Sequence, residues 1–165
     1  MPQKIFSTKL TDVIVSTTAT PRVPKDALGN LRWEGNQCYK RVQLVNATAT
    51  VVVAANDPIA YAAATGHSTN TVVSDNNDAD GVEMLAGIAL ATIAGVHTGG
   101  TTYFIWIKIK GTATINQAIS GSADGQVVMM SSTDLTLEVR ANPEEPCYAV
   151  SQDESAKILI LNCPF

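Results

Sequence analysis

The sequence predicts an all-β fold, a small β-barrel or β-sandwich carrying an extended N-terminal arm. Three observations lead there. The first is Thr101 to Gly111, where Tyr103, Ile105, Ile107 and Ile109 alternate with Phe104, Trp106, Lys108 and Lys110. A two-residue period puts the first row on a core face. The second row starts aromatic and ends cationic, as a strand does that leaves cover halfway along. The second observation is composition: 45% hydrophobic, 5% aromatic and 16% charged residues, so the core must come from Val, Ile, Leu and Ala. The third is punctuation, with short β-branched runs separated by Gly, Pro, Asn and Asp.

Residues 1–38 read as the arm and 39–165 as the compact domain. Val13, Ile14 and Val15 form one short apolar run in the arm, and Pro21 and Pro24 bracket Arg22-Val23 and forbid regular helix. Trp33 is a large apolar anchor in a turn-rich passage. Residues 1–41 hold seven Lys/Arg against three Asp/Glu, whereas residues 42–165 hold four against twelve. A basic leader on an acidic body predicts an arm that reaches a neighbouring acidic surface, with Phe6, Val13, Ile14, Val15, Arg22, Trp33 and Arg41 as its contact residues. A solubilising tail is the plainer alternative.

The compact part begins at Tyr39–Val45. A Thr/Ala/Val run then leads to the turn Asn56-Asp57-Pro58, followed by strand candidates Ile59–Ala62 and Thr71–Val73. Val82 to Ala94 fits two patterns: Leu85, Ile88, Ala89, Thr92, Ile93 and Val96 recur at helical spacing. Gly87 costs a helix about 1 kcal/mol relative to Ala, and Gly81 and Gly95 bound the segment as they would a strand, so strand is the preferred reading. After the Thr101–Gly111 strand come Thr112–Ile119, a Gly/Ser turn, Gln126–Met130 and the alternating Thr133–Arg140. Lys157–Leu161 is apolar on both faces, which predicts a buried closing strand. There is also an internal echo. Asn56–Ile59, Thr71–Val73, Ala86–Ala89 and Ile105–Ile107 form one series; Asp124–Val127, Leu135–Leu137, Tyr148–Val150 and Ile158–Ile160 form a tighter second one, suggesting a duplicated sheet.

Catalytic patterns are thin. His67 and His97 are the two histidines, both in Gly/Thr-rich loops with no carboxylate or thiol at motif spacing. There is no nucleophile elbow, phosphate loop or dinucleotide fingerprint. Asn76 to Gly81 places oxygens as a calcium loop does, but the twelfth position is Gly87 where a bidentate Glu is needed, so a polar surface loop is expected. No cofactor or metal is expected. The odd count of three cysteines, Cys38, Cys147 and Cys163, without metal spacing or a secretory leader, predicts free thiols. The acidic body predicts no nucleic-acid partner, and no run of 18 apolar residues predicts a membrane span.

From Tyr39 to Leu161 the chain resembles the small head decoration, or capsid cement, proteins of tailed bacteriophages. The resemblance is carried by the entry Trp33–Gln43, the turn Asn56–Ile59, Leu85–Ala91, Tyr103–Gly111 and the closing Ala156–Leu161. In that family a Gly-Val-Ala-Leu-like strand precedes a Trp-Val-like strand ending in Gly, and the order is the same here. The long basic leader departs from the pattern. The resemblance implies a non-enzymatic virion protein, assembled in the host cytoplasm. It would bind the outside of the head as a homo-oligomer, a trimer by preference, and bridge major capsid protein subunits. From a different class, a carbohydrate-binding β-sandwich module would need exposed aromatics, for which Trp33, Tyr61, Trp106 and Tyr148 are the candidates.

Overall fold

A computed structural model of the chain describes residues 8–17, 26–45, 52–62, 66–74, 84–93, 101–119, 121–141 and 147–163. Its strands are β1 (Ile14–Ser16), β2 (Leu31–Glu34), β3 (Gln37–Val45), β4 (Pro58–Tyr61), β5 (Thr71–Val73), β6 (Leu85–Ala89), β7 (Thr102–Thr114), β8 (Val127–Met130), β9 (Leu137–Val139), β10 (Ala149–Asp153) and β11 (Ile158–Asn162). One helical turn, α1 (Gly66–Thr69), precedes β5. The fold is nearly all-β, as the residue pattern predicts.

The molecule is built on the antiparallel pair β3–β7, which runs from Cys38 opposite Lys110 to Val45 opposite Thr102. β7 gives one edge to β3. Along its other edge it pairs in succession with β1, β6 and β11. β3 divides its second edge between β2 and β5. Because β5 pairs with β4, β4 with β6 and β6 with β7, the strands β3-β5-β4-β6-β7 close into a five-stranded barrel. The closing contact is parallel, Gln43 opposite Thr71 and Leu44 opposite Val72.

Gly87 permits that closure. It lies at φ +155°, and a Cβ there would fall inside the Lys108 carbonyl oxygen and 3.2 Å from Ile107 Cδ1. Only a residue without a side chain lets β6 lie this close to β7. The helical spacing of Leu85, Ile88 and Ala89 therefore belongs to a strand buried at every residue.

Beyond the barrel, β11, β10, β8 and β9 extend the sheet from the far half of β7. The order β9-β8-β10-β11 repeats β5-β4-β6-β7, with every pair antiparallel in both sets. The match extends to single hydrogen bonds. The turn entering β4 has Asn56 at φ +74°; the turn entering β8 has Gly125 at φ +82°. Ala54 N–H donates to Asp57 Oδ2 at 2.8 Å, and Ala123 N–H to Gln126 Oε1 at 2.7 Å. Ala62 N–H donates to Thr71 O at 3.1 Å, and Ser131 N–H to Thr136 O at 3.0 Å. Just before these acceptors, Asn70 and Leu135 share the left-handed conformation at φ +55° and +56°. The two series of the sequence are thus two copies of one four-stranded unit, sharing a single hydrophobic core.

The alternation along β7 has the expected faces. Tyr103, Ile105, Ile107 and Ile109 join the core, while Phe104 and Trp106 are covered on the opposite face and Lys108 and Lys110 are half-buried. The strand does not stop at Gly111 but runs on to Thr114. The closing strand departs from expectation: Leu159 and Leu161 are buried, but Ile160 is 48% exposed and Ile158 only half-buried. The outer face of β11 is therefore only partly covered.

Candidate interaction surface

The N-terminal segment supplies the cover over Trp106. Trp106 Nε1–H donates to Thr8 Oγ1 at 3.0 Å, and the Thr8 hydroxyl donates in turn to Asp26 Oδ2. Thr8 N–H reaches the same carboxylate at 3.2 Å, and Arg32 Nη1 donates to Thr8 O at 3.4 Å. Val13, Ile14 and Val15, expected to add a strand to a neighbour, lie instead along their own β7, with Ile14 opposite Phe104 and Val15 opposite Tyr103. A free β7 edge next to the barrel is a nearer partner than another molecule, and docking there also covers the indole, one of the largest apolar surfaces a side chain can bury. The division of the chain at 38/39 is crossed by β3, and Leu31–Glu34 is already part of the sheet.

Arg41 is the second correction. Expected at an interface, it is fully buried, its guanidinium 5.7 Å from the centre of the Trp106 ring and its Nη1 donating to Asp12 O at 3.4 Å. Nε and Nη2 have no hydrogen-bond partner among the described residues. Burial lowers its pKa, with Asp26 and Asp12 acting against that. Lys40 points the other way, into the barrel, where Nζ donates to the Tyr61 hydroxyl at 2.9 Å; burial lowers its pKa and raises that of Tyr61. Two of the seven cations of residues 1–41 are therefore inside the fold, and Arg32 is paired with Glu34 at 2.6 Å. The net charge of the leader overstates what a neighbour would meet. Phe6 and Arg22 lie outside the described residues.

Among the described candidate anchors, Trp33 alone combines size with exposure. It sits on β2 at the tip of the β2–β3 hairpin, whose two-residue turn Gly35-Asn36 starts with Gly35 at φ +58°, and it is 53% exposed. Lys110 Nζ lies 5.7 Å from its ring centre. Strand alternation places a second apolar group on the outer face of the second unit. Ile160 lies between Thr112 of β7 and Val150 of β10, and Val150 lies beside Val127 of β8. In the first unit the positions matching Val127, Val150 and Ile160 are Pro58, Ile88 and Lys108; Pro58 and Ile88 are buried and Lys108 is half-buried. In the second unit Val127 and Val150 are only half-buried, and Ile160 is open. The duplicated unit is thus more fully covered on this face in the first copy than in the second. The sequence signal is the Lys157–Leu161 run, whose apolarity on both faces predicts burial but leaves Ile160 at the surface.

No protein-family model, curated protein or solved structure matches this chain.

Reactive groups do not converge elsewhere among the described residues. His67 is exposed and stacks edge-on against Tyr61 at 5.1 Å; His97 and the Asn76–Gly81 loop lie outside the described residues. Among the described residues no three His, Cys, Asp or Glu side chains are grouped as a metal site requires, and no helix is long and apolar enough to cross a membrane. All three cysteines are free, Cys38 and Cys163 buried and Cys147 exposed. Burial raises the pKa of Cys38 and pushes that of Cys163 up to about 12.

Proposed function

We propose that this is a non-enzymatic capsid decoration protein, which adheres to the exterior of an assembled phage head and bridges major capsid protein subunits. The observation that carries the reading is the apolar row of exposed Ile160 with half-buried Val150 and Val127, on a sheet face where two of the three matching positions in the first unit, Pro58 and Ile88, are buried. Exposed Trp33 adds an aromatic anchor of the kind that dominates protein interfaces. Adhesion needs such a surface and no reacting groups. The resemblance of Tyr39–Leu161 to head decoration proteins supplies the partner, and a homotrimer on the capsid surface remains the preferred assembly.

Full-length protein mixed with expanded empty capsids of its host phage and imaged tests this. The wild-type chain is expected to decorate the heads. Ile160→Asp and Trp33→Ala should each cut occupancy by about tenfold or more, the loss expected of an anchor worth at least ~1.4 kcal/mol, with melting temperatures unchanged. Trp33 also favours a second reading, a carbohydrate-binding module, because an exposed ring beside polar groups is a sugar platform. Of the other aromatics considered, Trp106 and Tyr61 are buried and Tyr148 is half-buried, so that reading rests on one ring. Glycan-array binding without affinity for heads would replace the first reading with the second.

A further inference from the structure

The three thiols belong to one sheet, and its ladder decides which of them can meet. β10 and β11 keep a constant register from Ala149 opposite Leu161 to Ser151 opposite Leu159. The ladder runs on past the first residue of β10, because Asn162 N–H donates to Tyr148 O at 2.8 Å. One step further in the same register sets Cys147 opposite Cys163.

The hydrogen-bond phase fixes the type of that pair. Asn162 turns its N–H towards β10, whereas Cys163 turns its own the other way, donating to Ile109 O of β7 at 2.9 Å. Relative to β10, Cys163 therefore stands at a non-hydrogen-bonded position. There the Cα atoms of an antiparallel pair lie about 4.5 Å apart and the side chains are closest. A disulfide spans Cα separations of about 4.4–6.8 Å. The Cys163 sulfur reaches across the gap, lying 3.8 Å from Tyr148 O. Cys38 is ruled out by the same sheet. It lies opposite Lys110 on the other edge of β7, two strand spacings or about 9.5 Å from Cys163.

Exposure divides the roles. Cys147 is exposed at the open end of the β10–β11 ladder and meets reagents from solution; Cys163 is buried and has to reach only the residue across from it. We propose that Cys147 and Cys163 form a reversible cross-strand disulfide when the protein meets a small-molecule disulfide such as oxidised glutathione. The Cys147 thiolate attacks one sulfur of the reagent, forming a mixed disulfide and expelling one glutathione thiolate. Cys163 gives its proton to solvent and its sulfur attacks that of Cys147, which expels the second. The two cysteine sulfurs lose two electrons, the reagent gains both, and the two protons released pass through solvent to the glutathione thiolates. Burial keeps the Cys163 thiol protonated, so the second step is the slow one. The new bond closes the loop 147–163 and ties the hairpin shut at its open end.

The test uses the purified full chain without capsids, so its outcome is separate from the function proposed above. Protein is equilibrated with mixtures of reduced and oxidised glutathione, alkylated under denaturing conditions, digested with trypsin and analysed by mass spectrometry. Cleavage after Arg140 and Lys157 puts the two cysteines on separate peptides, 141–157 and 158–165. These are expected as one linked species, unaffected by Cys38→Ser and separated by reductant. Linkage should need about tenfold less oxidised glutathione in buffer than in urea, because only the fold sets the two strands in register. In Cys163→Ser the mixed disulfide should persist on Cys147. Glutathione that stays on Cys147 of the wild-type chain, a bridge between two chains, or linkage with equal ease in urea overturns the proposal. Two thiols that both stay free at every ratio overturn it as well. Should Cys163→Ser fail to fold, the wild-type comparison between buffer and urea decides alone.

Discussion

Residue chemistry divides this protein into side chains that build and side chains that wait at the surface. Trp106 and Trp33 illustrate the difference: one donates to Thr8 beneath a covering segment, the other stands open on a hairpin. Sequence pattern places Trp106 on a strand and Trp33 in a turn-rich passage, whereas both lie on strands; exposure depends on which segment folds over which face, and local pattern does not encode that. Arg41 was misplaced for this reason. A cation between Lys40 and Val42 reads as surface, and Arg41 is enclosed by contacts remote in sequence, its Nη1 donating to Asp12 O and its main chain bonding to Gly29 and Asn30. Cys163 offers a direct check on burial. Its raised pKa means the folded thiol stays protonated while the unfolded thiol ionises above about 9, so between about 9 and about 12 the unfolded state holds fewer protons. The stability this confers is complete below pH 9 and is lost as pH rises towards 12. Urea midpoints measured from pH 8 to 11 should fall, and Cys163→Ala should flatten the decline. An unchanged slope would mean the thiol is not buried as described.

Strands were the most legible level. β7 announced itself by alternation, and its change from aromatic to cationic marks where the covering segment ends. The duplicated series is legible in the sequence because turn residues recur ahead of matching apolar pairs. What pattern could not supply was the division of an edge among several partners, as on β7, since that depends on contacts far apart in the chain. Gly87 ties the two levels together. Gly87→Ala should cost about 2–3 kcal/mol or more, because the new methyl meets a backbone carbonyl that cannot retreat without opening the barrel. Gly121→Ala is the control: its φ is +70°, but nothing lies within 4 Å of the added carbon, so only the left-handed penalty of about 1–2 kcal/mol applies. Equal losses in chemical denaturation would show that backbone conformation, and not the approach of β6 to β7, fixes the glycine.

For the whole molecule, the expectation of a small barrel or sandwich was met, while the arm proved to be partly sheet and partly cover. Neither composition nor charge could reveal this, because the leader's cations are split between interior and surface. The β3–β7 pair has a further consequence, which concerns synthesis. Its partners stand 57 to 72 positions apart, so β3 leaves the ribosome well before β7 exists. At about 5–20 residues per second the delay is roughly 3–15 s. During it, a strand bearing Cys38, Tyr39, Val42 and Leu44 has no ladder to join and is exposed to self-association. Lys40 and Arg41 sit in the middle of that strand, where charges act as gatekeepers against aggregation. Replacing both with Leu is expected to leave the finished fold as stable or more so, since buried charges carry a desolvation cost. The same replacement should raise the fraction of newly made chains that pellet after cell-free translation. An unchanged pellet would remove this explanation for two buried cations; an increase would mean they are kept for the seconds before the fold exists.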